Sequence, residues 1–447
     1  MSFTPLDSGL YRPLFTSAPM QRLFSDEAHI ARLVAVEAAL ARAQADLGLI
    51  PLDAAQAITD LSRCFVPDWE RLQLGTAQDG FPVIALLAQL REQLPAAAAE
   101  ALHFGATTQD IMDTALVLQL RDALHLIEGN VHVVVQLLAH LSDMHRRTLM
   151  AGRTHSQHAL PITFGLKVAG WLAPLLRHLE RLHQLRPRLL VVQCGGAAGT
   201  LAALGNDGLR VSAALARELG LGEAPLPWHT SRDTLAELGG WLSLLTGTLG
   251  KAAQDLILLA QSEVDEVRGG GGGGGSSTMP QKSNPIGSEL IVAAARANAA
   301  LLSGLHQAAL QEHERGTHGW QLEWLTLPQM LGLTAGAVDR TVLLTQDLQV
   351  DAARMRANVQ ASGGLMMAEA LTFALAAHVG QAEAKATVRR AVALARQDGQ
   401  PLAEALRLCT NAPLDWAALH EDHYLGVNDA LIDRLLGLAD ARHRRTP

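Results

Sequence analysis

The sequence predicts an all-α protein, three helical regions with a central bundle of long helices. Three observations carry that expectation. Apolar residues make up 49% of the chain and aromatics only 4%, so the core is built from Ala and Leu, which favour closely packed helices over a β-sandwich. Several apolar series keep helical spacing over many turns. No segment shows convincing strand alternation.

Taken in chain order, an N-terminal helical region ends near Leu102. A long helix then starts after Thr107 and continues toward Met144, with Leu116, Leu120, Leu124, Ile127, Val131, Val134, Leu138 and Leu141 on its apolar side. Thr107 and Asp110 have capping-box spacing, with Asp in place of the usual Glu. Another helix is expected from near Pro161, a favourable first-turn residue, with a bend at Pro174. The clearest runs from about Thr234 to Glu263. Its series Leu235, Leu238, Leu242, Leu245, Leu249, Ala252, Leu256 and Leu259 alternates steps of three and four. Leu244, Ile257 and Leu258 lie off that seam, so the helix is apolar on more than one side and expected to be buried on more than one side. A further helix follows Pro285 through Leu290, Ala294, Ala297, Leu301, Leu305 and Ala308. The expected domains are 1–102, 103–358 and 359–447.

Composition narrows the function. The chain has 447 residues, a net charge of -8 and no basic block, which disfavours nucleic-acid binding through a phosphate-neutralising surface. A local pocket can still be positive and take an anion. Cys64, Cys194 and Cys409 are odd in number and far apart, neither a disulfide framework nor a metal set. The segment Met1–Leu14 lacks the pattern of a secretory signal, and no uninterrupted apolar stretch reaches the roughly 20 residues that span a bilayer. A cytoplasmic protein with reduced thiols, no membrane partner and no metal is the expectation. Gly195-Gly196-Ala197-Ala198-Gly199 has no preceding strand and no Lys-Ser/Thr pair, so it reads as a tight turn and not a nucleotide site.

Four segments carry chemistry. Seven glycines, Gly269–Gly275, lead into Ser276-Ser277-Thr278-Met279-Pro280-Gln281-Lys282-Ser283-Asn284-Pro285. A glycine hinge before a polar motif reads as a mobile functional loop. A serine is a poor base unless its alkoxide is stabilised, and loop N–H groups with the Lys282 ammonium can stabilise it. His103-Phe104-Gly105-Ala106-Thr107-Thr108-Gln109-Asp110 places Thr107, Thr108 and Gln109 at a helix N-terminus, where free N–H groups and the helix dipole suit a carboxylate. His103 reads equally as a structural histidine and as a general acid. Gly152-Arg153-Thr154-His155-Ser156-Gln157-His158 supplies histidines able to move a proton near neutrality. Gln311-Glu312-His313-Glu314-Arg315 offers a guanidinium that can clamp a carboxylate, or pair with Glu312, Glu314 or Glu323.

These motifs resemble those of the fumarase/aspartase superfamily, the Gly-Ser-Ser-Thr-Met-Pro-Gln-Lys-Ser-Asn-Pro loop most specifically. The resemblance implies a homotetramer with shared active sites and a small polycarboxylate substrate, with no cofactor. It implies Ser276 as the proton-transfer group, with His155 and Lys282 in catalysis. Thr107, Thr108, Gln109, Thr154, Gln157, Ser277, Asn284 and Arg315 are implied to bind substrate. Within the superfamily, Phe15–Met20, His103–Thr114, Gln157–Gly165, Pro227–Thr230, Gln311–Arg315 and Trp320–Pro328 are most similar to the 3-carboxy-cis,cis-muconate cycloisomerases of protocatechuate degradation. The alternatives are a fumarate-releasing carbon–nitrogen lyase such as adenylosuccinate lyase, and a non-catalytic, crystallin-like scaffold. His155 is a lyase-like feature, because cycloisomerase relatives often carry a bulky residue such as Trp there. Trp320 and Trp324 oppose adenylosuccinate lyase, since an uncharged indole cannot replace a guanidinium at phosphate.

Overall fold

The computed structural model describes residues 3–269, 274–275, 278–279 and 282–443. The fold is all-α with little sheet, as the composition implies. The elements that position the site are α1 (Asp26–Asp46), α2 (Val83–Gln93), α3 (Thr108–Met144), β1 (Leu149–Thr154), β2 (Gln157–Thr163), α4 (Phe164–Leu189), α5 (Asp233–Leu259), β3 (Val267–Arg268), α6 (Ile286–Ala308), α7 (Gly319–Gln346) and β4 (Gln349–Val350). Two compact units form, each from three stretches of chain: 3–129, 178–247 and 293–339 in the first; 130–177, 248–292 and 340–443 in the second.

In the first unit, Leu33, Val36, Leu86, Ala115 and Val211 are fully buried in one apolar cluster. Helix α1 is capped by Ser25, whose hydroxyl accepts from the Ala28 N–H. The expected capping box at Thr107 is present in its reciprocal half: the Thr107 N–H donates to Asp110 Oδ2 at 3.1 Å. In the second unit, a separate core gathers Leu371, Leu375, Val388, Leu402 and Leu406.

Two expectations need correction. Pro161 does not open a helix. It lies in β2, paired with Ala151 of β1, and α4 begins at Phe164 and runs past Pro174. Strands are therefore present: an antiparallel hairpin β1–β2 and a short antiparallel pair β3–β4. The hairpin was missed because β1 is buried along most of its length, so it lacks the polar alternation of a half-exposed strand. The helix expected over Thr234–Glu263 ends at Leu259.

Helices α3 and α6 each contain an 18-residue window of mean hydropathy 1.2. In α3 that apolar content is core: Leu120, Leu124, Ile127, Val131 and Val134 are 0–1% exposed.

Candidate active site

In the first unit, two of the expected substrate-binding residues meet. Arg315 Nη1 donates to Gln109 Oε1 at 3.0 Å, and Arg315 Nη2 donates to the carbonyls of Gly196 and Ala197 at 3.3 and 3.0 Å. Among the described residues Arg315 makes no ion pair, so its positive charge is held in place only by neutral acceptors. Two of the three carboxylates considered as its partners are engaged elsewhere, and among the described residues the exposed Glu314 makes no ion pair with it. Glu312 accepts from the Thr317 N–H and faces His318, and the buried Glu323 pairs with Arg232. Thr107 and Thr108 are half-buried at the start of α3. Gln109 is 1% exposed, and its Nε2 donates to the His229 carbonyl.

Behind this cluster lies a buried ionic network. Arg232 donates to Asp113 through both Nη atoms, at 2.7 and 3.0 Å, and through Nε to Glu323 at 2.8 Å. The Trp320 indole donates to Asp113 as well, and Trp324 packs edge-on against Trp320. The indole of Trp320 is thus used up in a structural contact, which agrees with its unsuitability for phosphate. Burial raises the Glu323 pKa against the pull of Arg232.

His103 is also explained locally. Its Nδ1 lies 2.6 Å from Glu37 Oε1, and Glu37 is 1% exposed on α1. Burial alone would lower the His103 pKa. The Glu37 carboxylate outweighs it, Arg91 on α2 opposes and Asp110 on α3 assists, and the net direction is upward. Seven residues along α1, Gln44 donates to the Phe104 carbonyl at 2.7 Å. Two side chains of α1 therefore grip the turn that leads into Thr107.

The second unit holds Thr154, His155 and Gln157 at the tip of the β1–β2 hairpin. Thr154 pairs with Gln157, and His155 and Ser156 both have positive φ, 49° and 60°. That is the backbone of a tight hairpin turn normally made by Asn and Gly, so a His-Ser pair holds strain there. All of Thr154–His158 is exposed. The hairpin is anchored just below the tip by Arg153, which donates twice to the fully buried Glu266, at 3.0 and 2.7 Å. Asn358 donates to the same carboxylate at 2.9 Å. Glu266 precedes β3, and β3 leads directly into the glycine run.

At the end of that run, Gly275 bridges Ser283, and the Asn284 N–H donates to the Gly274 carbonyl at 2.8 Å. A Cβ on Gly274, whose φ is 83°, would lie 2.1 Å from the Asn284 carbonyl oxygen, so only glycine fits that approach. Lys282 is exposed and Asn284 half-buried. Helix α6 begins at Ile286, directly after Asn284-Pro285, and the Pro285 carbonyl accepts from the Glu289 N–H to open it. Ser276 and Ser277 lie outside the described residues.

Of the six non-glycine residues with positive φ among the described residues, four lie in the motif segments: His103, His155, Ser156 and His313. Strain that persists in a fold concentrates at functional positions. Sequence reasoning missed Glu37, His229 and Arg153 as partners of site residues. Arg153 and His229 lie inside quoted segments, whereas Glu37, 66 positions from His103, carries no local signal. Among the described residues no cluster of metal-ligating side chains occurs.

A helical fold with strained motif turns and, among the described residues, a guanidinium held only by neutral acceptors suits an enzyme that takes an anion. The chain belongs to the Lyase family, whose model matches residues 12–297. It is 44% identical over 447 residues to a 3-carboxy-cis,cis-muconate cycloisomerase of Pseudomonas aeruginosa, covering 98% of this chain and 97% of that protein. The solved 3-carboxy-cis,cis-muconate lactonizing enzyme of Pseudomonas putida superposes with a TM-score of 0.91 at 38% identity, over 97% of this chain and 99% of that one. A solved fumarate lyase from Mesorhizobium sp. BNC1 gives 0.89 at 43% identity, over 95% and 98%.

Proposed function

We propose that the chain is an intramolecular lyase that interconverts 3-carboxy-cis,cis-muconate and 4-carboxymuconolactone in aromatic catabolism. The observation that carries this reading is Arg315, a guanidinium immobilised by Gln109, Gly196 and Ala197 with no carboxylate on it among the described residues. A cation kept oriented and uncompensated suits an anionic substrate, and a tricarboxylate needs several such groups.

In this reading one substrate carboxylate oxygen attacks the carbon β to another carboxylate, and the new C–O bond closes a five-membered lactone. The π electrons move into an enediolate stabilised by Lys282 and Asn284. Ser276 gives its proton to the α-carbon and the enediolate collapses to the carboxylate. Thr107, Thr108, Thr154, Gln157, Ser277 and Arg315 hold the anion, and Gln109 belongs to the same subsite. His155 orients the substrate or moves a proton. The nucleophile is already tethered, so the protein's work is to fix geometry and stabilise developing charge.

The three-region division 1–102, 103–358 and 359–447, a cytoplasmic location and a homotetramer with shared active sites belong to the same reading. Family members act on small carboxylates and are typically oligomeric. Leu244 and Leu258 on α5 support the tetramer: both lie off the apolar seam and remain 53% and 46% exposed in the protomer. A second apolar side left in water is what subunit packing would cover.

The test is to incubate the purified protein with 3-carboxy-cis,cis-muconate and follow the loss of diene absorbance in the ultraviolet. Adenylosuccinate and argininosuccinate serve as competing substrates. Turnover of either in preference to the muconate would overturn the cycloisomerase reading, and no turnover of any would point to the scaffold.

A further inference from the structure

We propose that Asp110 is a positioning residue that acts, through His229 and Gln109, to aim the Arg315 guanidinium. The proposal rests on the assignment of Arg315 to a substrate carboxylate. Asp110 is 3% exposed and accepts four hydrogen bonds: from the N–H groups of Thr107 (3.1 Å), Gly195 (2.9 Å) and Gly196 (2.9 Å), and from His229 Nε2 (2.8 Å). To donate to a carboxylate, His229 must carry its proton on Nε2. His229 is itself 3% exposed, and its carbonyl accepts from Gln109 Nε2 at 3.0 Å.

From there the bonds close into a ring. Gln109 Oε1 accepts from Arg315, Arg315 donates to the Gly196 carbonyl, and the Gly196 N–H returns to Asp110. The ring joins four separate stretches of the first unit. Its fit is tight, since a Cβ on Gly195 would come within 2.7 Å of the His229 ring. Arg315 is thus fixed at one end by the Gln109 amide and at the other by carbonyls whose own segment hangs on Asp110.

The geometry also changes the role of Gln109. The amide is almost wholly buried, with both ends bonded to protein. Gln109 orients Arg315 and does not itself hold substrate.

A double-mutant cycle on the full-length oligomer separates the two roles. Gln109→Met and Arg315→Met should each raise KM, and each weaken calorimetric binding of tricarballylate, by about 10- to 100-fold, as expected for one charge-assisted contact. Adding Gln109→Met to Arg315→Met should then change neither quantity. Losses that multiply would mean that Gln109 contacts substrate independently, and would overturn the proposal. His229→Gln keeps an N–H donor for Asp110 and should retain KM within about threefold, whereas His229→Phe should resemble Gln109→Met. Equal behaviour of the two His229 variants would remove that residue from the ring. A crystal structure of Gln109→Met should show Arg315 released from the Gly196 and Ala197 carbonyls, and an unmoved guanidinium would refute the proposal without any substrate. Absence of muconate turnover by the unaltered protein would count against the cycloisomerase reading alone, because the crystal structure judges the ring by itself.

Discussion

Gln109 and Asp110 in the first unit are almost wholly buried and bonded through their side chains, whereas His155 and Lys282 in the second are exposed, with His155 held by the hairpin backbone. The first arrangement fixes a cation in one orientation. A ring of buried hydrogen bonds excludes alternative rotamers, so little ordering remains to oppose binding. The second arrangement leaves His155 on a strained turn and Lys282 after the glycine run, both open to solvent. One region locks its side chains in buried bonds and the other presents them to solvent.

The sharpest test is Ser276→Ala. It should lower kcat by about a thousandfold or more while leaving helical circular dichroism unchanged, the effect expected if Ser276 is the proposed proton-transfer group. Substantial residual activity would remove Ser276 from the mechanism. Lys282→Met should lower kcat/KM by roughly a hundredfold, the usual scale for one group that stabilises developing charge. Unchanged kinetics would contradict its contact with the enediolate.

The opposite signature is expected behind the Arg315 cluster. Arg232→Met strands Asp113 and Glu323 as buried, uncompensated carboxylates and should destabilise the fold by about 3–5 kcal/mol. Urea unfolding measures this, and a midpoint equal to that of the unaltered protein would show that the network contributes nothing to holding.

The smallest effect concerns Glu37 and His103. The folded-state pKa of His103 is raised, so the proton favours the folded form. That contribution is complete below the ordinary imidazole pKa and fades as pH rises through the raised value. Glu37→Gln should remove this loss between neutral and alkaline pH and destabilise the acidic end by about 1–3 kcal/mol, as for a hydrogen bond to a charged group. A stability profile that keeps its pH dependence in the variant would mean that another group supplies it.

Much of this was legible in the sequence, and the parts that were not share a cause. Helices α3, α5 and α6 could be traced because an apolar side at helical spacing is a local property. The cap at Thr107 and the helix start at Pro285 were legible for the same reason. The β1–β2 hairpin was not, because a strand buried along most of its length has no alternating pattern to read and Pro161 fits a helix start equally well. Arg315 was recognisable as a candidate clamp, but its alternatives were not decidable: Glu323 is only eight residues away in sequence, yet it bonds Arg232, ninety-one positions distant.

The sequence by itself determined the helical class, the family and the residue types available for chemistry, since periodicity and motif spacing are written along one dimension. The tertiary structure alone decided which carboxylate meets which cation. It buried Asp110 and Asp113 beside His229 and Arg232, more than a hundred positions on, and gave Arg315 only neutral partners among the described residues. The physical reason is that pairing energies depend on distance and burial in space, and neither quantity is encoded in separation along the chain.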